Sequence, residues 1–118
     1  MRDYKKLDIW LKSHSLVLEI YKISNEFPRK ETFGLISQIR RAAVSIPANI
    51  AEGAGRNTNT DFARFLNYSF GSLCEVEYYI ILGNELNYIS KEEFQVLSDN
   101  IESLKKMIAT FMKIIAKS

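Results

Sequence analysis

A chain of 118 residues that is 47% hydrophobic and 25% charged can bury roughly two-thirds of its unfolded surface in one core, which excludes wholesale disorder and a dependence on metal or disulfide staples. Its net charge of +2 allows a local patch for an anionic partner without requiring one. The single cysteine, Cys74, excludes an internal disulfide, and the longest apolar run, Tyr78 to Gly83, is far below the ~20 residues that span a bilayer.

In chain order, the polar start from Met1 to Lys6 has no signal-peptide character, so a cytoplasmic protein is expected, without a membrane anchor. Asp8 is a candidate N-cap for a first helix that ends before Pro28. Ile9, Ser13, Leu16, Val17, Ile20 and Phe27 form its inward stripe. Trp10 and Tyr21 flank that stripe and fit either the core, the preferred choice, or a subunit contact. Pro28 to Glu31 reads as a polar turn, after which a second helix starts near Thr32 and runs back antiparallel.

Within that second helix the stretch from Gln38 to Arg56 is the densest in pattern. At about 100° per residue, Ile39, Ala42, Ala43, Ile46 and Ile50 share one flank. Arg41, Ser45, Asn49, Glu52 and Arg56 share another, spaced so that neighbours can hydrogen-bond along the helix. Pro47 removes a backbone hydrogen bond, so a kink near Ser45 or Ile46 is expected in preference to a break. Gly53, Ala54 and Gly55 end the helix with a glycine free to take a left-handed cap.

Thr60 or Asn59 is expected to cap the third helix, with Asp61 in its first turn. Phe62, Leu66, Ser69, Leu73, Val76, Ile80 and Gly83 make its stripe. Phe70, Cys74, Tyr78 and Ile81 widen that arc beyond what one surface helix uses, which implies a helix either central or buried on two sides, the second side belonging to another subunit in one reading. Ser90-Lys91-Glu92-Glu93 matches a capping box, and Phe94, Leu97, Ile101, Leu104, Ile108, Phe111 and Ile115 follow in steps of three and four. Four amphipathic helices with short connections predict an all-α, antiparallel up-down-up-down four-helix bundle, a single domain over residues 1–118.

Catalytic constellations are missing from this pattern. His14 is the one histidine, and Leu11 stands where a carboxylate metal site would place its glutamate. Cys74 has no base partner in an apolar helical stretch, and Glu52, Glu75 and Glu77 are read as ion-pair partners of arginine instead of acid-base groups. A non-enzyme without cofactor or metal is expected. Arg40, Arg41, Arg56 and Arg64 are expected around the loop between the second and third helices, where they either hold a nucleic-acid phosphate backbone or, structurally, pair Arg41 and Arg56 with Glu52 or Glu75.

Gln38-Ile39-Arg40-Arg41-Ala42-Ala43, Ser45 to Gly53 and Arg56, with Phe27-Pro28, Phe62, Phe65, Leu66, Gly71-Ser72 and Glu75, resemble the four-helix-bundle family linked to 23S ribosomal RNA intervening sequences. The resemblance implies a small bacterial protein, four antiparallel helices and a homo-oligomer, a ring-shaped pentamer. A related branch, the accessory variability protein of diversity-generating retroelements, is similar in fold and binds nucleic acid and a reverse transcriptase through a basic surface. On the shared motif, Arg41, Ser45, Asn49, Glu52, Arg56 and Glu75 are expected to form a buried polar network that fixes helix register and subunit contact. The function so implied is an RNA- or ribonucleoprotein-associated bundle, and the rival reading is a protein-protein adaptor that binds no nucleic acid.

Overall fold

The computed structural model describes residues 2–117. Among them lie four α-helices: α1 (Asp8–Ser24), α2 (Leu35–Ala54), α3 (Asn59–Glu85) and α4 (Lys91–Ala116), with short 3-10 turns at Tyr4–Lys6 and Arg29–Glu31. Each packs on the next and α4 closes back onto α1, an antiparallel four-helix bundle measuring 46 × 24 × 20 Å. The inward stripes meet in one core, with Ile20, Ile39, Ile46, Ile50, Phe62, Leu66, Leu73, Ile80, Ile101, Leu104 and Ile108 fully enclosed. Every residue of the expected first and third stripes is buried; in α4 only Phe94 and Phe111 are half-buried at the margin.

The helix ends follow local chemistry more closely than pattern. Leu7, not Asp8, is the N-cap of α1, and Asp8 sits in the first turn where the helix dipole favours its charge. α2 starts at Leu35, later than Thr32, because Gly34 has a non-helical backbone and the Glu31 carboxylate reaches over it to accept the Leu35 N–H at 3.0 Å. Thr58, one residue earlier than Asn59, caps α3 by accepting the Asp61 N–H at 3.1 Å. The capping box at Ser90 and Glu93 forms as the spacing predicts.

Gly55 ends α2 in the right-handed region, at φ −83°, so the left-handed glycine cap does not occur there. Its N–H still finds the Ala51 and Glu52 carbonyls, which suffices to close the helix. A left-handed cap stands instead after α3, at Asn87 with φ 65°, where the Tyr88 N–H bonds the Gly83 carbonyl at 2.8 Å.

α2 runs unbroken through Pro47. Beside the proline, α3 is stapled to α2: the buried Ser69 hydroxyl donates to the Ile46 carbonyl at 2.8 Å and the Ser45 and Ser72 hydroxyls bond each other. At the end of α2, Gly53 lets the chain lie against α3, since a Cβ there would come within 2.7 Å of the Phe62 ring and 2.8 Å of Phe65 Cβ. On the outer side of α3, Cys74, Tyr78 and Ile81 are exposed, so one chain buries a single side of that helix. Trp10 is half-buried between Tyr4 and His14 and packs against the core from its edge, whereas Tyr21 is exposed.

Candidate nucleic-acid interface

The turn from α2 into α3 is built on two phenylalanines. Gly53 brings Phe62 and Phe65 against the end of α2, and both rings are buried on their inner sides. Arg56, just past the helix end, lies over Phe65 at 4.7 Å, and Arg64, one turn into α3, lies over the same ring at 4.8 Å. A guanidinium above an aromatic face keeps its charge and its outward N–H groups while its stem is held. Arg2 adds a third: it lies 5.2 Å from the Phe62 centroid, donates to Asn59 Oδ1 at 3.0 Å, and is fixed by its own backbone N–H on the Ala54 carbonyl.

Two of these cations have carboxylate partners. Arg56 pairs with Glu52 at 2.9 Å, and Arg64 with Asp61 at 2.8 Å. The hydrogen bond to Asp61, then that to the Tyr68 hydroxyl, holds the Arg64 guanidinium above its ordinary pKa. Both pairs are largely exposed, the regime in which an ion pair contributes little and exchanges readily with another anion.

Arg40 and Arg41 do not join this cluster. They stand in the N-terminal half of α2, roughly 20 Å along the helix from Arg56 at 1.5 Å per residue. Arg40 instead ties α2 to the end of α1: its Nε donates to Ser24 Oγ and its Nη2 to Asn25 Oδ1, each at 2.8 Å, and it covers the Tyr21 ring at 4.6 Å. Arg41 is exposed, without a bonded partner among the described residues, on the rim of a 580 Å³ groove that Tyr21, Val44 and Ala48 also line.

The expected polar network separates, within one chain, into local contacts. Asn49 Nδ2 donates back to the Ser45 carbonyl at 2.8 Å, Ser45 meets Ser72, and Glu52 holds Arg56. Glu75 accepts the Tyr79 hydroxyl at 3.2 Å; burial first, then that bond, pushes the Tyr79 phenol above its usual range. Arg41, Glu52, Arg56 and Glu75 are exposed, while Ser45 and Asn49 are half-buried. The outward radius of the stripe explains this: only its edge nearest α3 is covered.

Sequence reasoning missed Arg2, whose place depends on where the first residues fold back. Its return to the α2 end also reveals a charge gradient along the molecule. Arg2, Lys5, Lys6, Lys12, Arg56, Arg64, Lys105, Lys106, Lys113 and Lys117 lie in the half of the bundle holding the α2–α3 turn, against Asp3, Asp8, Glu52 and Asp61. In the other half Glu19, Glu26, Glu31, Glu75, Glu77, Glu85, Glu92, Glu93, Asp99 and Glu102 outnumber Lys22, Arg29, Lys30, Arg40, Arg41 and Lys91.

Compared with known proteins, residues 5–110 match the family model described as 23S rRNA-intervening sequence protein. The chain is also similar to the crystal structure of a protein of unknown function from the S23 ribosomal protein family of Bacteroides thetaiotaomicron. The two share 26% identity and superpose with a TM-score of 0.79, over 89% of this chain and 98% of that one. No curated protein matches the chain. Among the described residues, no helix is long and apolar enough to cross a membrane.

Proposed function

The chain belongs to the 23S rRNA-intervening sequence protein family, and on that premise we propose a non-enzymatic, homo-oligomeric bundle whose α2–α3 end holds the phosphate backbone of structured RNA. The observation that carries the reading is the pair of guanidinium groups, Arg56 and Arg64, both held over the Phe65 ring at the basic end. Arginines held this way keep donors for phosphate oxygens, and the surrounding lysines add attraction that salt screens. The oligomer is proposed as a pentamer; the exposed Cys74, Tyr78 and Ile81 face of α3 supports a contact between copies. A monomer mass by light scattering at micromolar concentration would overturn it.

RNA binding is tested by titrating structured RNA and duplex DNA across a salt series with wild type, Arg56→Ala/Arg64→Ala and Arg40→Ala. The double variant is expected to bind more weakly and to lower the log-log salt slope by about 2, one per lost phosphate contact. Arg40→Ala should leave the slope unchanged and lower stability instead, since its bonds run to Ser24 and Asn25. Wild type without salt-dependent binding would transfer the case to the adaptor reading. That rival has its own support, for Arg56 and Arg64 already hold Glu52 and Asp61.

A further inference from the structure

α1 carries two stripes. The inner one, through Ile9, Leu16 and Ile20, is buried in the bundle. The outer one steps by three and four through Leu11, His14, Leu18 and Tyr21, the spacing of a helix that meets another helix along a seam. Leu11 and Leu18 are 49% and 59% exposed, and within the chain the ring of His14 stacks only on its neighbour Trp10.

The charges beside this stripe are arranged as a palindrome. Asp8 lies near its start and Lys22 near its finish, at nearly equal distances from Ser15, and neither has a bonded partner among the described residues. A second α1 laid antiparallel about a two-fold between His14 and Ser15 would set Leu11 against Leu18 of that copy and Asp8 close to its Lys22. The two-fold would repeat both contacts. A parallel arrangement leaves Asp8 and Lys22 about 21 Å apart along the helix at 1.5 Å per residue, so neither charge is matched.

We propose that the outer face of α1 is a docking surface for a second copy of this chain, paired antiparallel about a two-fold between His14 and Ser15 and aligned by Asp8 with Lys22. The contact closes at two copies, so it is distinct from any five-fold ring and independent of RNA binding.

The test reads proximity and register directly. In a Cys74→Ser background, His14→Cys places one thiol per chain beside the proposed axis, and oxidised glutathione at tens of micromolar protein supplies the oxidant. Covalent dimers on a denaturing gel are expected, whatever the size of the native particle. Adding Asp8→Lys or Lys22→Asp alone should slow their formation by about tenfold, because the two-fold repeats each like-charge contact. The combined swap Asp8→Lys/Lys22→Asp should restore the rate, and circular dichroism should show all variants equally helical. Absence of covalent dimers, or dimers formed at one rate irrespective of charge, overturns the proposal.

Discussion

Gly53 and Gly71 both lie inside helices, yet opposite pressures act on them. A Cβ at Gly53 would strike Phe62 and Phe65, whereas one at Gly71 meets nothing within 4 Å. Gly53→Ala is therefore expected to lose about 1–3 kcal/mol through overpacking. Gly71→Ala should gain about 0.5–1 kcal/mol, the usual penalty of glycine in a helix interior. Urea denaturation of both variants checks the pair. Sequence shows where a glycine stands but not which of its freedoms is used. Gly53 reads as a helix terminator, and its missing side chain turns out to set the spacing of two helices. The same limit applied to the arginines: Arg40 and Arg41 are adjacent in the chain, but one is bonded to α1 and the other has no bonded partner among the described residues.

At the scale of elements, stripes were legible and boundaries were not. Periodicity of three and four identified all the helices, because burial selects side chains along their whole length. The start of α2 escaped because its cap is tertiary: Glu31 accepts the Leu35 N–H and also the Tyr88 hydroxyl, at 3.0 Å each, from across the bundle end. Those bonds, the Leu35 amide first, hold the Glu31 carboxyl below its ordinary pKa of 4.5. A lowered folded value means that Glu31 stabilises the fold fully above about pH 4.5 and that this contribution is lost as pH falls through the folded value. Glu31→Gln should thus be less stable than wild type near neutrality, with the difference closing in acid. Thermal melts at pH 7, 5 and 3 measure this, and a difference independent of pH would contradict the account.

Over the whole molecule, the bundle followed from composition and pattern, whereas the charge gradient needed the fold, since its members come from both ends of the sequence. Arg2 is the sharpest case, lying beside Asn59 at a separation of 57 residues. Arg2→Ala is expected to reduce the log-log salt slope of RNA binding by about 1 with helicity unchanged. A slope equal to that of wild type would remove Arg2 from the interface.

Asn59 does more than receive Arg2. Its Oδ1 accepts from Arg2 while its Nδ2 donates to the Ile115 carbonyl at 3.3 Å, so one side chain bridges the stretch before α1 and the last turn of α4. Topologically the four helices approach a closed ring, since Arg2 and Ile115 meet at one end of the bundle. A short linker from the end of α4 to Arg2 would close it, and the chain could be reopened at the turn around Phe33, which is 94% exposed. Such a circular permutant would move any affinity tag or surface tether to the acidic end and leave the arginine-bearing end facing solution.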